Sequence, residues 1–295
     1  MPSTRDIRRR IKSVKNTAQI TKAMQMVAAA KMRKAQQAAL AGRPYADLMN
    51  HVLAEAAPRI ATLKHPLMET RPGGKRGVIL ISTDKGLCGA LNSNLFREAA
   101  KFDREATVFI TAGRKAAQFI SRTKRQLAAE FTYKDTPQFG EARAISKFAQ
   151  AMFVKGEVNG VDILFARFVS TLNQQPETLP LLPVGKIHAL TTGASGQAQP
   201  EELPARGAPT DIFEFEPDEA TVLSELLPHG LNFKIYQILL EARASEYSAK
   251  LVAMKNATEN AMQLIKDLTL DYNKLRQANI TKELLEIATA QMAVA

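Results

Sequence analysis

Residues 231–295 read LNFKIYQILLEARASEYSAKLVAMKNATENAMQLIKDLTLDYNKLRQANITKELLEIATAQMAVA, sixty-five consecutive positions without a glycine or a proline. A 4,3,4,3 spacing runs through Leu240, Ala244, Tyr247, Leu251, Met254, Thr258, Ala261, Ile265, Leu268, Tyr272 and Leu275 without a slip. That spacing puts one stripe along a long helix and predicts a helical partner for it. At the other end of the chain, residues 3–41 also lack glycine and proline, and the same ladder runs through Ile7, Ile11, Val14, Ala18, Thr21, Gln25, Ala28, Met32, Ala35 and Ala39. At about 1.5 Å per residue the two helices would be roughly 60 and 100 Å long, against about 30 Å for a small domain. They are expected to project as a stalk from the residues between them.

The seam residues are smaller and more polar than the Leu/Ile of a permanent zipper, so each turn buries less apolar area, at roughly 25 cal/mol per Å². The pair is therefore expected to depend on the domain at its base. If the helices pair within one chain they run antiparallel, because the first enters that domain and the last leaves it. Between them, apolar runs at 78–81, 107–110 and 161–168 read as strands, and 92–101, 114–122 and 141–154 read as helices. This alternation predicts a mostly parallel sheet covered by helices. Gly42 and Pro44 mark a stop or kink in the first helix, and Pro58, Pro66, Pro72, Gly73 and Gly74 mark the way out of it. Residues 191–210 are Gly-, Ala-, Pro- and Gln-rich and predict an exposed connection. The acidic stretch 211–219 suits a helix first turn, which Pro228 and Gly230 then interrupt or bend.

The chain carries a net charge of +11. Twelve Lys/Arg among residues 1–59 face only Asp6, Asp47 and Glu55, so this segment calls for an acidic partner. Cys88 is the only cysteine, which excludes an internal disulfide, a Cys-x-x-Cys redox pair and a thiolate zinc cluster. There is no apolar signal core near the N-terminus and no run of 18 apolar residues, so the chain is expected to stay in the cytoplasm without itself crossing a membrane.

The turn Thr83-Asp84-Lys85-Gly86-Leu87-Cys88-Gly89-Ala90-Leu91-Asn92 follows a strand and opens a helix, where α/β proteins bind phosphates. It matches neither the P-loop nor the G-x-G-x-x-G pattern, which favours a structural turn. Cys88 at a helix start has no histidine beside it, and a buried small hydrophobe is the simpler reading. His51, His65, His188 and His229 have neither metal nor catalytic spacing. The basic positions Arg5, Arg8, Arg9, Arg10, Lys12, Lys15, Lys31, Arg33 and Lys34 come without any nucleic-acid-binding motif. Residues 287–295 carry no charge, and Ile280, Leu284, Leu285, Ile287, Met292 and Val294 do not form one narrow stripe. A length comparison leaves this end overhanging its partner by about 15 Å, a lone apolar tip that needs a socket in another protein.

Three stretches carry a resemblance that spans the whole chain: ITKAMQMVAAAKM at 20–32, DKGLCG at 84–89 and ITKELLEI at 280–287. In them the sequence closely resembles the gamma subunit of F-type ATP synthase, of the bacterial type. The family usually has Arg where Lys85 stands, a second Gly where Ala90 stands, and Gly-Ala where Ala290-Gln291 stands. The two-cysteine insertion of chloroplast members is absent.

The resemblance implies an α/β fold class: a long antiparallel coiled coil of N- and C-terminal helices with a central Rossmann-like domain, divided as 1–59, 60–210 and 211–295. It implies a rotor shaft without catalytic residues, cofactor or metal, set in a head of three alpha and three beta subunits. Below the head the shaft stands on the epsilon subunit and the membrane c-ring, at the cytoplasmic face of the inner membrane. Rotor–stator contacts fall on Met24, Lys250, Arg276, Gln277, Thr281 and Glu283, and an apolar bearing tip on Ile280, Leu284, Ile287 and Met292. Lys250 stands where relatives often have Arg. Two other classes fit parts of the pattern: a stand-alone α/β enzyme with a coiled-coil dimerisation arm and a small-molecule ligand at the Gly86 turn, and a basic coiled-coil nucleic-acid binder.

Overall fold

The computed structural model describes residues 3–42, 44–45, 48–49, 65–184, 216 and 218–294. Its packing divides the chain into two compact units, Met1–Ala28 with Leu251–Ala295, and Ala29–Lys250. Helix α1 (Thr4–Ala41) and the C-terminal helix (Glu219–Val294) each contribute to both.

In the first unit the two helices pair antiparallel. The Thr258 hydroxyl lies 2.8 Å from that of Thr21, and Arg8 Nη2 donates to the Tyr272 hydroxyl. Every position of the predicted ladder in this unit is buried or half-buried, from Ile7 to Ala28 and from Leu251 to Leu275. Ser3 starts α1 as its cap, with its Oγ accepting from the Asp6 backbone N–H at 3.2 Å while the Asp6 carboxylate accepts from the Ser3 hydroxyl at 2.7 Å. Because Arg8 stands level with Tyr272, α1 ends near the level of residue 276. Residues 276–294 extend beyond it for about 28 Å, further than the 15 Å expected, since register rather than helix length sets the overhang.

In the second unit, β1 (Arg76–Ile81), α2 (Leu91–Ala100), β2 (Thr107–Ala112), α3 (Arg114–Arg122), β3 (Gln126–Phe131), α4 (Phe139–Val154), β4 (Gly160–Phe168) and β5 (Gln174–Leu182) build a five-stranded sheet of order β3-β2-β1-β4-β5. All pairings are parallel except β4 with β5. Alternate residues of β1 enter opposite cores: Val78 and Leu80 pack with Leu95 of α2 and Ile120 of α3, while Ile79 and Ile81 pack with Ile145 and Phe153 of α4. The α4-side core also contains Leu231, Ile235, Ile238 and Leu239 of the C-terminal helix, here α5.

The predicted strands and helices of the central domain, and the first helix, appear within one to two residues of their expected ends. Two strands, β3 and β5, carry no clear sequence signal, and both lie at sheet edges. Pro176 and Pro180 are tolerated in β5 because an edge strand leaves every other N–H unpaired. α5 begins at Glu219 rather than after Gly230, and Pro228 lies inside it. Asp218 caps this start by accepting from the Thr221 N–H at 2.8 Å. An interior proline costs about 3 kcal/mol, which burial of Leu231, Ile235, Ile238 and Leu239 at roughly 1.5–3 kcal/mol each offsets. Pro58 and the connection at 191–210 lie outside the described residues.

Candidate functional site

In an open α/β sheet, ligands bind beyond the carboxyl ends of the strands, at the point where strand order reverses. Here that point lies between β1 and β4. α5 occupies it. Residues 238–249 of α5 are buried on every side, charged side chains included. Among the described residues Arg243 is the largest of the fully buried side chains, and its guanidinium reaches two loops as well as its own helix. Nη2 donates to Asp84 Oδ2 after β1 at 3.2 Å and to the Tyr133 carbonyl after β3 at 2.6 Å; Nε donates to the Lys134 carbonyl at 3.2 Å. Nη1 donates to Glu246 Oε2 at 2.5 Å, and the Tyr133 ring lies 3.9 Å from the guanidinium carbon.

The loop after β1 is fixed from the other side as well. Asp84 Oδ1 accepts from the Arg114 N–H at 3.1 Å, Ser82 Oγ from the Ala116 N–H at 2.7 Å, and the Thr83 hydroxyl donates to the Lys85 carbonyl at 2.6 Å. Gly113 has φ +106°, and a Cβ there would fall 2.3 Å from the Ser82 carbonyl oxygen, so this crossing requires glycine. Asn92 Nδ2 donates to Thr83 Oγ1 at 2.7 Å and to Cys88 Sγ at 3.3 Å. Burial pushes the Cys88 thiol above its ordinary pKa, the reverse of an activated nucleophile. The DKGLCG turn is thus a structural turn pinned beneath α5.

α1 reaches the same end of the sheet. Lys31 Nζ donates to Asp135 Oδ2 at 2.5 Å, in the segment that supplies Tyr133 and Lys134 to Arg243. This hydrogen bond, with a second from Tyr247, holds the Asp135 carboxyl below its usual range. Burial and the bond to Asp135 raise the Tyr247 phenol. Sequence reasoning missed this whole cluster. Its signal was the crowd of small residues Ala242, Ala244, Ser245, Ser248 and Ala249, which lets neighbouring segments approach the helix closely from every side.

The expected rotor–stator residues are spread along the helices. Met24 is half-buried on α1 next to seam residue Gln25. From the Thr21–Thr258 register it stands near the level of residue 255, about 30 Å along α5 from Arg276. Lys250 is half-buried and donates to Glu246 Oε1. Arg276, Gln277, Thr281 and Glu283 lie together on the overhang, all exposed, with the Thr281 hydroxyl donating to the Gln277 carbonyl at 3.0 Å. Among the described side chains of residues 276–292, none is buried. Leu284 and Ile287 are 61% and 60% exposed and Met292 is 83% exposed, with Ile280 on the same overhang at 48%. Contiguous apolar exposure of this kind marks an interaction surface.

A family model described as ATP synthase matches residues 3–294. The ATP synthase gamma chain of Opitutus terrae is 50% identical over 296 residues, covering 100% of both chains. That of Akkermansia muciniphila is 44% identical over 294 residues, again covering 100% of both. Among solved structures, a chain in the OSCP/F1/c-ring part of the Euglena gracilis mitochondrial ATP synthase superposes with a TM-score of 0.67 at 19% identity, covering 99% of this chain and 94% of that one. A chain in the central stalk/c-ring part of the Tetrahymena thermophila mitochondrial enzyme gives 0.60 at 23% identity, covering 81% and 99%.

Proposed function

This chain belongs to the ATP synthase family, among its gamma chains, and from that membership we infer how its geometry works as the central rotor shaft. It is a non-catalytic subunit. It couples ion-driven rotation of the membrane ring to conformational change in the catalytic beta subunits, and the coupling is reversible. A partner shifts an equilibrium only by binding one state better than another. The α1/α5 pair is asymmetric in cross-section, so at any angle it presents a different surface to each surrounding subunit. Turning it changes which subunit is favoured.

The single observation that carries the assignment of contacts is the overhang. Pairing stops near Tyr272 and Leu275, and residues 276–292 continue as an exposed helix that carries no charge from Ile287 onward. We place Ile280, Leu284, Ile287 and Met292 in a bearing formed by three alpha and three beta subunits, with Arg276, Gln277, Thr281 and Glu283 at the rim of that contact. Met24 and Lys250 mark contacts further down. The epsilon subunit and the c-ring are the partners of the α/β domain, and the complex works at the cytoplasmic face of the inner membrane. Among the described residues no helix is long and apolar enough to cross a membrane, which suits attachment through other subunits. The boundaries 1–59, 60–210 and 211–295 are the corresponding division of labour.

A dimerisation arm would leave the seams free for a second copy, whereas α1 and α5 fill each other's seams within the chain. The native mass of the purified complex tests the assignment. One copy of this chain with three alpha and three beta subunits is expected, and a homodimer lacking them would overturn it.

A further inference from the structure

Apolar burial is non-directional, so a helix held only by apolar packing can roll in its groove at little cost. Hydrogen bonds weaken steeply once misaligned, so they resist rolling. At the carboxyl edge of the sheet α5 is held by polar bonds from two sides. Arg243 is bound by Asp84, Tyr133 and Lys134. Glu241 accepts from the Phe168 N–H at 3.1 Å at the end of β4, and the Ser248 hydroxyl donates to the Thr171 carbonyl at 2.8 Å. Glu241 and Ser248 are seven residues apart and share a face; Arg243, two residues from Glu241, lies on roughly the opposite face at 3.6 residues per turn. Bonds on opposite faces oppose a torque about the helix axis in either sense. Lys31 ties α1 to Asp135 in the same loop, although this exposed pair is the weaker grip.

A buried charge cluster is a poor way to gain stability, because apolar residues of similar volume avoid the desolvation cost. Stability alone therefore does not account for Arg243 and Glu246 in this position. We propose that the collar centred on Arg243, with Asp84, Glu241, Glu246, Ser248 and the loop at 133–135, is the torsional clamp that makes the α/β domain and the helix pair turn as one body. The proposal rests on the rotor reading. Arg243 acts here as a positioning residue: its planar fork fixes the angle of α5 against the strand ends, and the work of rotation passes between domain and helices through it.

The experiment uses the assembled ATPase head, immobilised and stalled with nucleotide bound. One optical probe is attached at the exposed surface of α3 in the α/β domain and another, in a separate preparation, at exposed Met262 of α5. Angular fluctuation of each probe is compared for the unchanged chain, Arg243→Met and Asp84→Ala. Both variants are expected to raise the angular variance of the domain probe, Arg243→Met more, while the Met262 probe keeps its variance and unloaded ATP hydrolysis persists. A role confined to stability would lower the yield of complex and leave both variances unchanged, which overturns the proposal. If Arg243→Met does not assemble, Asp84→Ala decides by the same criterion. Failure of the rotor reading is distinct from either result, because then neither probe on the unchanged chain would rotate when ATP is supplied before stalling.

Discussion

Thr258 and Thr21, 237 positions apart in sequence, place their hydroxyl oxygens 2.8 Å from one another across the helix pair. The Thr21 hydroxyl lies 3.1 Å from the Ala18 carbonyl and the Thr258 hydroxyl 2.8 Å from the Met254 carbonyl, so whichever threonine donates across the pair, the other donates its proton to its own helix. Thr258 is 3% exposed. A polar rung inside a seam of small residues fixes the register that apolar packing alone would leave free to slip.

Thr258→Val should therefore cost about 1 kcal/mol, the ordinary net value of such a bond. Hydrogen exchange of amides in residues 251–275 is the measurement, and a rise of about fivefold is expected. Exchange in β1 and β4 should stay as it was. Adding Thr21→Val should cost less than the first substitution, since the Thr21 hydroxyl has by then already lost its partner across the pair.

Replacing Leu284 and Ile287 with Asp puts two charges where the account requires an apolar bearing. Assembly with the head should fall, or the assembled complex should synthesise ATP with poorer coupling. Undiminished synthesis would place the tip in water instead.

Met24→Lys puts an ammonium beside the seam at the expected rotor–stator contact. Coupling efficiency, measured as ions pumped per ATP, should drop more than hydrolysis itself. An equal loss of both would indicate misfolding of the helix pair.

Cys88 is buried with its thiol pKa raised, first by desolvation. Only the thiolate reacts, so alkylation by iodoacetamide should be slow at pH 7 and should accelerate only in strongly alkaline solution. Fast labelling of the folded protein at pH 7 would show that the loop after β1 opens.

The seam was legible because a helix pair needs only periodicity, and Ile7, Ala18, Ala28, Met254, Ala261 and Leu268 are buried where the 4,3 spacing puts them. The inner strands were legible because both faces of β1 are covered, which forces a continuous apolar run. β3 and β5 were not, because an edge strand with one neighbour is free to be polar or to carry Pro176 and Pro180. Arg243 was invisible for a different reason. A charged residue in a helix reads as solvated until the strand ends that surround it are in place, and Asp84 and Tyr133 are 159 and 110 positions away from it. The overhang was foreseen in kind but underestimated, because its extent depends on which residue faces Arg8.

The most direct measurement fixes the head of the purified complex to a surface, attaches a probe to this chain and supplies ATP. Sustained rotation in one direction, in three equal steps per turn, is the expected result. A probe that stays still while the complex hydrolyses ATP at full rate, or ATP hydrolysis by this chain purified alone, would contradict the account.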